Sequence, residues 1–148
     1  MRRILLILWL AVWGIACAST PEPREFCMRV NASPNLNIFE GQAHVVALYV
    51  YPLQSSLGFQ QLSVGELLTG TSPSGAAGRH LQVTVAPGQE LDFKESFPPS
   101  TREVGIVADY YRAPGDPEGQ RKGVVKARCG WCSKAEITLA PKDLLLKQ

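Results

Sequence analysis

The sequence predicts an all-β fold, an antiparallel two-sheet sandwich of about seven strands with one short helical insert. Short runs rich in Val, Tyr, Phe and Thr recur along the chain, Gly- and Pro-rich turns separate them, and no strand–helix–strand alternation interrupts them. The 148 residues include 13 Gly and 11 Pro, with 45% apolar and 19% charged residues, the composition of one turn-rich globular domain.

The N-terminus comes first. Arg2 and Arg3 precede thirteen largely apolar residues from Ile4 to Ala16. That run is shorter than the ~20 residues needed to span a bilayer, and a positive flank followed by small residues reads as a secretory leader covering residues 1–16. Gly14-Ile15-Ala16-Cys17 resembles a bacterial lipobox, with Gly14 where Leu is usual. In such a site Cys17 receives a diacylglycerol and becomes the new N-terminus. An ordinary A-x-A site, Ala16-Cys17-Ala18, competes and would discard Cys17. Small residues at 16 and 18 and the Pro-rich stretch after them favour lipidation, which makes 17–26 a lipidated tether and 27–148 the sandwich domain. Ala18 rather than Asp after the cysteine resembles lipoproteins sorted to the outer membrane. Without Arg2 and Arg3, thirteen basic and thirteen acidic residues remain. A neutral domain lacks the footprint of a nucleic-acid binder and a basic face for anionic lipid.

Cys27 to Asn31 reads as a first, modest strand. The Asn- and Pro-rich loop that follows displays Leu36, Ile38 and Phe39. Ala43 to Leu53 carries the strongest β signal: it is apolar on both faces, as expected of a strand buried on both sides. Ser63-Val64-Gly65-Glu66 has capping-box spacing, so a short helix is expected to lay Phe59, Leu62, Leu67 and Leu68 on a sheet. Further strands are expected at His80–Val85, Leu91–Phe97 and Glu103–Tyr111. Lys122–Arg128 and Glu136–Leu139 then form a closing hairpin around Cys129-Gly130-Trp131-Cys132. The tail from Pro141 is a helical turn or an extended end.

Besides Cys17 there are three cysteines, Cys27, Cys129 and Cys132. The C-G-W-C pair separates two strand-like runs, not the strand and helix that a thioredoxin-type thiol needs. A zinc site lacks ligand spacing, since His44 and His80 stand apart from it. A structural disulfide is the better reading: Cys129 and Cys132 are close enough to pair across the turn, Cys27 can equally pair with either of them, and one of the three stays free. No nucleophile elbow, metalloprotease helix, phosphate loop or dinucleotide fingerprint is present. The expectation is a non-enzyme without metal or cofactor and without a small-molecule substrate.

The order of these pieces is specific. A lipobox-like cysteine is followed by A-S-P-N-L-N, V-V-A-L-Y-V-Y-P-L, a Phe-led insert ending in L-L, V-A-P-G-Q and V-G-I-V-A-D-Y-Y-R. Together they resemble the TssJ/VasD family of type VI secretion lipoproteins. The resemblance covers Arg29 to Arg112 well and the final strands less well. It implies a transthyretin-like sandwich held at the inner leaflet of the outer membrane. It also implies a binding role, towards the periplasmic C-terminal part of the inner-membrane protein TssM. The partner loop it implies is Pro34, Asn35, Leu36, Asn37, Ile38, Phe39, Glu40, Gly41 and Gln42. The residues alone point the same way, because apolar side chains rimmed by polar ones on a loop mark an interaction site. The competing reading is that apolar residues of this loop cap the end of the sandwich, and Leu36 is the first of the three that would then join the core. The alternative is a secreted periplasmic module that binds a carbohydrate or small ligand, with Tyr49, Tyr51, Tyr110, Tyr111 and Trp131 as stacking surfaces.

Overall fold

A computed structural model of the chain describes residues 20–116, 119–130 and 134–147. Among the described residues eight strands form two four-stranded sheets. The strands are β1 (Arg24–Ala32), β2 (Val46–Leu53), β3 (Leu81–Val85), β4 (Glu90–Phe97), β5 (Glu103–Asp109), β6 (Lys122–Lys126), β7 (Ala135–Leu139) and β8 (Leu144–Lys147). One sheet runs β4-β1-β7-β8 and the other β3-β2-β5-β6. Every pairing is antiparallel except β1 with β7, which is parallel.

The core follows from the period of two along a strand. In β1, Phe26, Met28 and Val30 point between the sheets; in β2, Val46, Leu48 and Val50 meet them, and β5 adds Val104, Ile106 and Ala108. The opposite face of β2 is buried too. Tyr51, Leu53 and Val107 of β5 pack against two short helices, α1 (Leu57–Gln61) and α2 (Val64–Leu68), through Phe59 and Leu67. Each fully buried large side chain contributes about 1.5–3 kcal/mol over leaving it in water. A third layer therefore covers the outside of one sheet, and β2 is buried on both faces as its composition predicts.

Local chemistry fixes that layer. The Ser63 hydroxyl accepts from the Glu66 N–H at 3.2 Å, and the Glu66 carboxylate accepts from the Ser63 N–H at 2.7 Å, completing the expected capping box. The Ser63 hydroxyl also donates to the Glu66 carboxylate at 2.7 Å, and that bond, with the one from the Ser63 N–H, holds the carboxyl below its ordinary value. At the end of α1 the Lys122 ammonium donates to the Gln60 carbonyl at 2.8 Å and also to that of Leu62. Beneath α1, a Cβ at Gly105 would stand 2.6 Å from the Phe59 ring, so only glycine lets the ring lie flat on β5.

The two-sheet sandwich of about seven strands is present with eight among the described residues, the tail adding β8, whose Leu144 is buried while Leu145 faces out. Other expectations give way. Strand β1 begins at Arg24, inside the segment expected as tether, because Arg24 to Phe26 find partners in Phe97 to Glu95 of β4. The closing hairpin is absent. β6 pairs with β5 and β7 with β1, so the C-G-W-C segment crosses from one sheet to the other. That crossover carries Cys129 to β1, where the Cys27 N–H donates to the Arg128 carbonyl at 3.0 Å. The disulfide accordingly joins Cys27 to Cys129, with Cα atoms 4.7 Å apart, one of the pairings the sequence leaves open. Cys132 and Trp131 lie outside the described residues, as do the leader and Cys17.

The bridge spans 102 residues, and closing so long a loop restricts the unfolded chain strongly. Replacing Cys27 and Cys129 together by Ala is expected to lower Tm by about 10 °C, equivalent to about 2–4 kcal/mol. Thermal melts with and without reductant check this: reductant should shift the native protein by a similar amount and leave the double variant unmoved.

Candidate functional site

The loop between β1 and β2 is built in two parts. In the first, Leu36 turns inward and is fully buried, while its N–H donates to the Ser33 carbonyl at 3.1 Å and its carbonyl accepts from the His44 N–H at 3.0 Å. In the second, Phe39 and Gln42 exchange two backbone hydrogen bonds, at 2.9 and 3.0 Å. Glu40 and Gly41 between them both have positive φ, 51° and 75°, which is the pattern of a type I′ hairpin turn. Glycine fits the second of these at no steric cost. The result is a small hairpin standing on a buried leucine.

Asn37 joins the two parts. It is 8% exposed and sits at φ 49°, a left-handed conformation that asparagine tolerates better than most residues. Its side-chain amide donates to the Val45 carbonyl at 3.0 Å and its amide oxygen accepts from the Tyr111 N–H at 2.7 Å. Its backbone N–H donates to the Pro141 carbonyl at 2.9 Å. In the β2–β5 ladder Ala47 faces Asp109, so two further steps would set Val45 opposite Tyr111. The Asn37 amide stands between those two groups and continues the ladder through a side chain. Three loops thus meet at one end of the sandwich: 33–45, the segment after β5, and the β7–β8 turn.

The partner residues named from the sequence divide accordingly. Ile38 is 41% exposed, Phe39 is half-buried, and Pro34, Asn35, Glu40, Gly41 and Gln42 are exposed. Leu36 and Asn37 are buried supports. Phe39 lies with its ring centroid 4.0 Å from that of Tyr111 and 6.0 Å from the His44 ring. Val45 and Tyr111 complete this surface, and sequence reasoning did not assign them to it. The signal available was their place at the very ends of the two double-faced strands, where the inner partner has run out.

Among the described residues the four tyrosines of the ligand-binding alternative do not gather on one surface. Tyr51 is buried under α2, with its hydroxyl donating to the Leu67 carbonyl. Tyr110 is in the core, Tyr111 rests on Phe39, and Trp131 lies outside the described residues. An open cleft of about 560 Å³ runs beside Tyr51, Arg79 and His80, but the His80 ring lies against Tyr49 and Tyr51, with centroids 5.7 and 4.9 Å away. Among the described residues no group of three or more His, Cys, Asp or Glu side chains is arranged to hold a metal ion. Fold and site together define a class: a β-sandwich with a helical cover whose most elaborated surface is a braced apolar loop.

The chain belongs to the T6SS-SciN family, the type VI secretion lipoproteins that include VasD, EvfM and TssJ; the family profile matches residues 24–141. None of the curated proteins matches it in sequence. Among solved structures it is similar to the T6SS lipoprotein TssJ1 from Pseudomonas aeruginosa, at TM-score 0.71 and 22% identity over 84% of this chain and 95% of that one. It is also similar to Serratia marcescens Lip, a membrane-bound component of the type VI secretion system, at TM-score 0.70 and 16% identity, covering 85% and 97% of the two chains. A chain in the structure of the T6SS protein TssM C-terminal domain (869-1107) from EAEC matches at TM-score 0.69 and 16% identity, covering 84% and 98%. At such identities these likenesses speak for the fold, and the family profile for the membership.

Tyr110 locks this end of the molecule. Its hydroxyl donates to the Asp143 carbonyl at 2.8 Å and lies 3.1 Å from that of Ala140, and burial pushes its ionisation well above the usual phenol value. A group whose folded value is raised contributes stability that is complete below the unfolded value, about 10, and is lost as pH rises towards the folded one. Tyr110→Phe is therefore expected to cost about 1–2 kcal/mol at neutral pH and to flatten the decline in stability above about pH 10. Urea midpoints measured from pH 7 to 11 on both proteins check it.

Proposed function

We propose that this chain is an outer-membrane-anchored lipoprotein of the type VI secretion membrane complex. It binds the periplasmic C-terminal domain of the inner-membrane protein TssM and so tethers the complex to the outer membrane. The observation that carries the reading is the braced loop, which offers Ile38 and Phe39 at the end of β1 opposite to Arg24. In a type VI secretion lipoprotein, that arrangement separates membrane attachment from recognition by the length of one strand, about 30 Å for nine residues.

The division of labour follows. Acyl chains on Cys17 supply the hold on the membrane, each buried methylene contributing about 0.8 kcal/mol. The sandwich is rigid, so an anchored domain presents its far end in a defined way. The loop is already ordered by the Leu36 plug, the Asn37 amide and the I′ turn, so little conformational entropy is lost when a partner covers it. Apolar side chains at its tip supply affinity and the polar rim supplies fit.

Two measurements test the reading. Ile38→Asp and Phe39→Ala should each weaken binding of the purified TssM periplasmic domain about tenfold or more while the protein stays folded by circular dichroism. Unchanged binding by both folded variants would remove the loop assignment. For the anchor, radiolabelled palmitate should be incorporated into the native chain and not into Cys17→Ser, and globomycin should cause the unprocessed form to accumulate. A freely released, unlabelled protein would end the lipoprotein half of the proposal.

A further inference from the structure

Five large apolar residues are exposed among the described ones: Ile38, Val45, Leu57, Tyr111 and Leu145. Three of them gather around one buried asparagine. Asn37 bonds the Val45 carbonyl and the Tyr111 N–H, and Ile38 is its chain neighbour. Val45 is 54% exposed and Tyr111 43%, and the Tyr111 ring packs against Phe39 at the loop tip.

We propose that the partner surface extends beyond the loop to Tyr111 and Val45, and that Asn37 is the positioning residue that builds it. This rests on the reading that the loop binds the TssM periplasmic domain. Were β2 and β5 to pair directly as far as Val45 and Tyr111, their backbone groups would bond to each other. The interposed Asn37 amide takes the place of that direct pairing and keeps the Val45 carbonyl and the Tyr111 N–H bonded. Tyr111 thereby meets Phe39, with ring centroids 4.0 Å apart, and Ile38 follows Asn37 directly in the chain.

The occupant this surface suits is a protein segment with an apolar ridge. Ile38, Val45 and Tyr111 are exposed around the Asn37 amide and Phe39 packs on Tyr111, so apolar burial is what this surface offers a partner. The surface is also continuous with the loop, so a partner that covers Ile38 and Phe39 meets Tyr111 as well. It lies at the opposite end of β1 from Arg24, where the N-terminal segment enters, and so faces away from an anchor at that end.

The test uses the full chain and the purified TssM periplasmic domain. Tyr111→Ala is expected to raise Kd about tenfold or more with Tm little changed. Asn37→Gly keeps the left-handed backbone but loses both side-chain bonds. It should raise Kd by a similar factor and speed amide exchange at Tyr111, which a residue needed only for stability would not do selectively. Tyr111→p-benzoylphenylalanine supplies a readout independent of stability: irradiation should yield an adduct with the TssM domain. The inference is overturned if Tyr111→Ala leaves Kd within about twofold while Ile38→Asp still abolishes binding; the loop reading then survives alone. If neither variant affects binding, the loop reading fails first. An adduct only with a second copy of this chain, or none, overturns the inference as well.

Discussion

The molecule depends on one strand being buried on both faces. β2 alternates Val46, Leu48 and Val50 into the space between the sheets with Tyr51 and Leu53 into the space under the helices. Neither core survives without it, because the same eight residues wall both. It also explains the tolerance limits of its neighbours. Gly105 on β5 must be small because Phe59 descends onto it, and Lys122 on β6 must reach over to the last carbonyls of α1. A strand of this kind cannot slip by one residue, since a slip would exchange the contents of the two cores.

The same constraint shaped how much was legible. Composition at 46–53 identified a doubly buried strand, and Ser63 with Glu66 identified a helix start, because both depend on local pattern. Leu36 was placed in the partner loop, with the core as its alternative, and it is the core that takes it. The errors were non-local. C-G-W-C looked like a hairpin turn because the runs on either side alternate, yet alternation says only that a strand has an inner face, not which sheet holds it. Once β7 lies beside β1, Cys129 is delivered to Cys27, which decides a pairing that sequence spacing leaves open. β8 escaped because L-L-L-K has no period of its own; it acquires one by pairing with β7.

At the candidate site the balance was similar. The loop and its exposed tip were visible as apolar residues in a polar setting, but Asn37 looked like one more loop asparagine. Its role depends on a positive φ and on two strand ends brought together from distant parts of the sequence. Tyr111 had been noticed only as an aromatic with ligand-stacking potential. A buried polar side chain with all its bonds made leaves no signature in composition, though in structure it is among the most informative features present.

The parallel pairing of β1 with β7 has a consequence for the order of assembly. The sheet made of β3, β2, β5 and β6 draws on residues 46–126 alone, together with the helices that cover it. The other sheet joins β4 to strands from both extremes of the chain, and β1 waits for β7 to arrive before it has a neighbour on each side. Contacts of such sequence separation form slowly. A chain delivered N-terminus first across a membrane would therefore acquire one half of its sandwich early, while β1 is held on one side only until its final residues emerge.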